Sequence, residues 1–131
     1  KVPIVFEHFA NAPANLGVRQ PGFDQLLELM RDGTVYVKIS GAYRISDRAP
    51  DYPDVAPMAR ALIAANPERV LWGSDWPHPD ASALPGHPPT DPTPLLAIDD
   101  GRLLNLLPQW APDPWVRRQI LVENPRRLYG F

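Results

Sequence analysis

Three polar clusters in the sequence carry side chains that can bind a metal ion, hold an acidic substrate or move a proton. Each cluster directly follows a short apolar run, and the three are Glu7-His8, Ser40 with Tyr43-Arg44, and Ser74-Asp75. Histidine supplies a base or a metal ligand, aspartate a carboxylate acceptor, and arginine a forked donor for a substrate carboxylate. These residue types therefore favour acid–base or metal chemistry on a small acidic molecule.

The apolar runs predict β-strands, and the segments between them predict helices. Residues 2–6, 35–40 and 70–74 are rich in β-branched or aromatic side chains, and we expect the first to be a buried strand. Apolar residues recur at helical spacing over 23–30 and 55–63. Strands that alternate with helices are parallel, and parallel strands end at one edge of the sheet. The three polar clusters are therefore expected to meet there.

The last part of the chain contains a proline-rich loop at about 77–98 and helices over 102–110 and 114–123, the second with Asp113 as its N-cap. The order βαβαβ-loop-αα fits a small doubly wound sheet or part of a (β/α)8 barrel. A barrel typically needs about 250 residues, and three strands cannot close one. Lys1 stands at the start of an apolar β-type run, so we expect a fragment of a barrel.

The composition fits one ordinary soluble domain, with 131 residues, 44% hydrophobic and 21% charged. The formal net charge of −2 argues against a nucleic-acid partner, because phosphate contacts need a basic face. Neither a signal peptide nor an apolar run of about 18 residues is present, so a cytoplasmic protein without a membrane partner is expected. Without cysteine, any metal must be held by His, Asp or Glu.

Each candidate residue also has a purely structural interpretation. His8 can be a hydrogen-bonding histidine at a strand end, Asp75 can cap the following segment, and Arg44 can form a salt bridge. Packing or solvation is the simpler interpretation for Trp72, Trp76, His78 and His87. No glycine-rich phosphate loop and no Gly-x-Ser-x-Gly motif is present, so the residues alone predict only an α/β protein with an acid–base or metal site.

Three motifs allow a more specific interpretation of the sequence than the residue types alone. They are V-L-W-G-S-D-W-P-H-P at 70–79, V-Y-V-K-I-S-G-A-Y-R at 35–44 and E-N-P-R-R-L-Y-G-F at 123–131. Together with I-V-F-E-H-F at 4–9, they resemble the amidohydrolase-related TIM-barrel hydrolases, especially the 2-pyrone-4,6-dicarboxylate lactonase-like enzymes. The resemblance extends over essentially the whole chain and implies that residues 1–131 are the C-terminal portion of one such barrel domain.

The resemblance also implies roles for individual residues. Asp75 and His8 would be catalytic, while Arg44, Tyr43 and His78 would bind the substrate. In metal-dependent members His8 and Asp75 would ligate one divalent ion, zinc or manganese, and other members work without a metal. The His-x-His pair of the family is absent from this chain, which leaves at most two protein ligands, although a catalytic zinc site normally keeps three.

The function implied by the resemblance is hydrolysis of a lactone or similar cyclic ester in a carboxylated small molecule, with Asp75 moving the proton of the attacking water. One alternative of the same fold is a metal-dependent non-oxidative decarboxylase. Another is a catalytically incomplete half-barrel that self-associates or pairs with a missing N-terminal half, because its open sheet edges favour pairing.

Overall fold

The computed structural model describes residues 2–80, 90 and 92–131. Its strands are β1 (Ile4–Phe6), β2 (Val35–Ser40) and β3 (Val70–Gly73), and its helices are α1 (Phe23–Arg31), α2 (Ala56–Ala65), α3 (Asp100–Trp110), α4 (Pro114–Arg118) and α5 (Asn124–Tyr129). Most of the predicted proline-rich loop, and His87 within it, lies outside the described residues. No helix in the described ranges is both long and apolar enough to cross a membrane.

The three strands form one parallel sheet in the order β1-β2-β3. Val37 in the middle strand pairs with Phe6 on one side and with Val70 on the other. Helix α1 connects β1 to β2, and α2 connects β2 to β3, so each connection is a crossover of the kind that parallel strands require. The prediction of alternating strands and helices around a parallel sheet is confirmed.

The side chains of β2 alternate between two faces of the sheet, as a strand requires. Val35, Val37 and Ile39 are buried in the apolar core with Met30 of α1 and Met58 of α2. The opposite face carries the polar side chains of the strand, and the last of them lies at the carboxyl end of β2. Burial of one face against the helices therefore holds the register that places the polar strand ends side by side.

Strand β1 differs from the buried strand that its composition predicts. Ile4 is 53% exposed and Phe6 is 37% exposed, because within the described residues β1 pairs with β2 alone and forms the edge of the sheet. The regular strand begins only at Ile4, after Pro3. Beyond it, two short 3-10 segments follow, at His8–Asn11 and Ala14–Arg19.

The C-terminal helix is longer and less regular than predicted. Asp113 caps α4 as expected, its carboxylate accepting from the Trp115 amide at 2.8 Å. A π-helical turn at Gln119–Glu123 then leads into α5 instead of ending the helix. Asn124 follows this turn, is fully buried, and donates from Nδ2 to the carbonyls of Pro67 and Val70 at 2.8 and 2.7 Å. This side chain ties α5 to the start of β3.

Candidate active site

The carboxyl ends of the three strands bring together the four residues that the sequence singles out most strongly. The Tyr43 hydroxyl donates to Asp75 Oδ2 at 2.6 Å, and Arg44 Nε donates to the same oxygen. The His8 ring faces the other oxygen, with Nε2 at 3.7 Å from Asp75 Oδ1. The predicted convergence of the strand ends is therefore observed, and Asp75 lies at its centre.

An unusual backbone directs Asp75 into this cluster. It follows β3 after one residue, and its φ of 68° places it in the left-handed region that side-chain-bearing residues rarely adopt. His78, three residues further on, also has a positive φ, of 61°. Such conformations persist only where the surroundings enforce them, and they concentrate at functional sites. The segment therefore has the backbone features of a functional turn.

The electrostatics of the cluster keep Asp75 ionised. Burial alone raises the pKa of Asp75, but the hydrogen bonds from Tyr43 and Arg44 and the nearby His8 outweigh it, so the pKa lies below its ordinary value. Burial and the bond to Asp75 raise the pKa of Tyr43 above its ordinary value. Tyr43 therefore stays a neutral donor, and Asp75 is a carboxylate at neutral pH.

The other ring nitrogen of His8, Nδ1, fixes the orientation of the ring. It lies 3.0 Å from the hydroxyl of Ser40, the last residue of β2, and next to the turn at Gly41. His8 has a φ of 48° in the short 3-10 segment that follows β1. The adjacent Glu7 does not join the site, because its carboxylate pairs with Lys38 Nζ at 2.7 Å.

His78 lies close to this cluster but points away from open solvent. It is 4% exposed, Nδ1 lies 3.1 Å from the Tyr43 hydroxyl, and Nε2 lies 2.9 Å from Asp100 Oδ1. Its predicted role in substrate binding stays a prediction. Sequence reasoning missed Asp100, since no motif singles out the first residue of a helix 22 positions beyond His78.

The two tryptophans of the W-G-S-D-W segment have different surroundings. Trp72 is partly buried and packs against the core, as the structural interpretation predicts. Trp76 is 75% exposed beside Asp75, so packing does not account for it. The indole of Trp76 instead forms an exposed apolar surface next to the candidate site.

His8 and Asp75 are the residues that could hold a divalent ion, and they do lie together. They supply two ligands, whereas a catalytic zinc site normally keeps three protein ligands. Within the described ranges, no group of three or more His, Cys, Asp or Glu side chains has the geometry of a metal site. The Arg44 guanidinium on Asp75 also opposes a second positive charge there. These residues alone therefore do not fit a metal.

Gly41 is the backbone position against which the cluster packs. Its φ is 56°, and a Cβ there would lie 3.1 Å from Asp75 Oδ2 and 3.2 Å from His8 Nδ1. We expect Gly41→Ala to displace Asp75 and lower kcat by about tenfold, since small misplacements of reacting groups are costly. It should also lower the free energy of unfolding by about 1 kcal/mol through backbone strain.

Gly130→Ala is the matched control for this prediction. Gly130 is also in the left-handed region, with a φ of 78° and a ψ of 31°, but no atom lies within 4 Å of a Cβ built there. Both variants should lose similar stability in chemical denaturation, and only Gly41→Ala should lose activity. Equal kcat values for the two variants would show that crowding at Asp75 has no influence on the reaction.

The comparison with known proteins agrees with this geometry. The family model described as Amidohydrolase matches residues 1–131. The 4-sulfomuconolactone hydrolase of Hydrogenophaga intermedia is 42% identical over 132 residues, which cover 98% of this chain and 39% of that protein. The 2-pyrone-4,6-dicarboxylate hydrolase of Comamonas testosteroni is 36% identical over 135 residues, covering 96% of this chain and 40% of that protein.

A solved structure extends the agreement to the fold. The crystal structure of an Agrobacterium tumefaciens protein, 33% identical, superposes with a TM-score of 0.74 over 97% of this chain and 41% of that one. This chain thus spans 39% and 40% of the length of the two curated relatives named above. The predicted family resemblance and the predicted α/β part-barrel are confirmed. Because the family match extends over all 131 residues, the chain belongs to the amidohydrolase family.

Proposed function

We propose that the protein carrying this chain is a hydrolase that opens the lactone ring of a small molecule bearing an acidic group. The observation that carries the proposal is the Asp75 carboxylate, with one oxygen bonded by Tyr43 and Arg44 and the other facing His8. The relatives named 4-sulfomuconolactone hydrolase and 2-pyrone-4,6-dicarboxylate hydrolase support both the ring-opening reaction and the acidic substrate.

The two oxygens of Asp75 have different tasks in this proposal. Oδ2 accepts from Tyr43 and Arg44, which fixes the orientation of the carboxylate. Oδ1 lies 3.7 Å from His8 Nε2, too far for a direct hydrogen bond, and we place the attacking water to one side of the pair, about 2.8 Å from each atom. We assign Oδ1 as the base that takes a proton from this water, and His8 as the residue that positions it.

Asp75 is the only group that carries a proton in the proposed reaction. The water oxygen forms a bond to the lactone carbonyl carbon as its proton moves to Asp75, and the carbonyl electron pair moves onto oxygen. When the carbonyl re-forms, the ring C–O bond breaks and Asp75 returns the proton to the leaving oxygen. The product carries a new carboxyl group and a new hydroxyl group in one open chain, and the enzyme is unchanged.

Arg44 is suited to bind the acidic group of the substrate. Its Nε is engaged with Asp75, and no other carboxylate in the described part of the chain pairs with the guanidinium. The hydrogen bond to Asp75 raises the pKa of Arg44 despite its partial burial, so the guanidinium is charged at any working pH. A carboxylate or sulfonate bound there would place the lactone beside Asp75.

The test is a pH-stat assay of the protein expressed from its complete reading frame, with 4-sulfomuconolactone and 2-pyrone-4,6-dicarboxylate as substrates. We expect acid to appear in step with loss of the ring for at least one of them. Release of carbon dioxide from aromatic acids, with both lactones untouched, would instead identify the metal-dependent decarboxylase. Repeating the assay after treatment with a chelator determines whether a metal takes part.

A further inference from the structure

His78 connects the candidate site to a carboxylate that lies outside it. Its Nδ1 is 3.1 Å from the Tyr43 hydroxyl and its Nε2 is 2.9 Å from Asp100 Oδ1. Both Nε2 and Oδ1 are buried, and neither forms a well-aligned hydrogen bond with any group in the described ranges. The two atoms therefore face each other at 2.9 Å, although the Asp100 side chain as a whole is 45% exposed.

The hydrogen-bond geometry indicates which atoms carry protons in the series Asp75, Tyr43, His78 and Asp100. Tyr43 has one hydroxyl proton and donates it to the ionised Asp75, so its oxygen accepts from His78 Nδ1, which must carry a proton. If Nε2 carried none, its lone pair would face a carboxylate oxygen at 2.9 Å, and two acceptors would repel each other. A proton therefore lies between His78 Nε2 and Asp100 Oδ1.

We propose that Asp100 is a positioning residue that acts through His78 to keep the Tyr43 hydroxyl donating to Asp75. The inference rests on the proposed function, because it assigns Asp75 as the group whose orientation is maintained. His78 is then a structural relay rather than a substrate ligand, in keeping with its 4% exposure.

The fold makes Asp100 a rigid anchor for this relay. Asp100 is the first residue of α3, and Leu103, Leu106 and Leu107 of that helix are buried in the core. The backbone around His78 is bonded on both sides, with its amide donating to the Asp75 carbonyl at 2.9 Å and its carbonyl accepting from Leu96 at 2.8 Å. The buried helix and the strained turn are thereby linked through two side chains, Asp100 and His78.

The test compares three variants of the protein expressed from its complete reading frame. Asp100→Ala removes the carboxylate, and Asp100→Asn keeps a side chain that can still pair with Nε2 by donating an amide proton. Asp51→Ala is the matched control, because Asp51 binds Arg102 of the same helix at 2.7 Å, whereas the carboxylate that faces His78 is that of Asp100. Kinetics with the lactone substrate and the nitrogen resonances of His78 by NMR are the two readouts.

We expect Asp100→Ala to lower kcat by about tenfold to a hundredfold with KM changed by less than about threefold, the range seen when groups that orient active residues are removed. Asp100→Asn should recover most of the loss, and Asp51→Ala should match the unmodified protein. In NMR, the His78 nitrogen resonances should shift in both Asp100 variants, because the group that faces Nε2 at 2.9 Å is replaced.

Two results would overturn the inference. One is a kcat for Asp100→Ala within about twofold of the unmodified protein. The other is unchanged His78 nitrogen resonances in both Asp100 variants. Failure of the proposed function is distinguishable, since it appears as lactones left unhydrolysed by the unmodified protein, whereas the His78 resonances report its pairing with Asp100 whether or not a lactone is turned over.

Discussion

Replacing Asp75 by asparagine is expected to lower kcat by about a thousandfold, because the amide cannot take the proton of the attacking water. Asparagine has nearly the same shape, and its carbonyl oxygen can still accept from Tyr43 and Arg44, which both donate to Oδ2 in the structure. Substrate binding should therefore persist while turnover is lost. Steady-state kinetics give kcat, and equilibrium binding of the lactone to the inactive variant gives the affinity.

The matched control for this variant is Asp113→Asn. Asp113 caps α4 away from the site, and asparagine is an equally good N-cap, so the same chemical change should leave stability and kcat unaltered. An Asp75→Asn variant with kcat within about tenfold of the unmodified protein would place the base elsewhere. The role of Asp75 in the proposed mechanism would then have to be abandoned.

The convergence of the site was predictable because it follows from two short-range patterns. Alternation in β2 buries Val35, Val37 and Ile39 against the helices, and this fixes which edge the polar residues reach. Parallel pairing then forces the ends of all three strands to one edge of the sheet, which brings His8 to Asp75 across the intervening strand. Neither step requires knowledge of the loops.

The details that were not predictable depend on the chain's long-range geometry. The pairing of His78 with Asp100 joins a turn to the first residue of α3, and no periodicity in the sequence connects the two. The left-handed backbone of Asp75 and His78 also has no local signal, since neither residue is a glycine. The exposure of Ile4 was missed for a related reason, because an apolar run indicates a strand without indicating what covers it.

Arg44→Lys is expected to lower kcat/KM by about a hundredfold, although the positive charge is kept. The Arg44 guanidinium donates from Nε to Asp75, and no second carboxylate in the described ranges competes with the acidic group of the substrate for it. A lysine ammonium is a single point of charge and cannot hold Asp75 and the substrate with the same fixed geometry. Arg44 also lies over the Tyr43 ring, 5.3 Å from its centroid, so the substitution removes packing as well.

Arg48→Lys provides the control, four positions further along the same loop. The Arg48 side chain is exposed and forms no hydrogen bond or ion pair within the described ranges, so the same substitution there should leave kcat/KM unchanged. Steady-state kinetics on lactones with and without an acidic substituent separate the two tasks of Arg44. If Arg44 binds that substituent, the Lys variant should lose its preference for the acidic lactone. If the preference persists, the acidic group is recognised by residues other than Arg44, and Arg44 serves Asp75 alone.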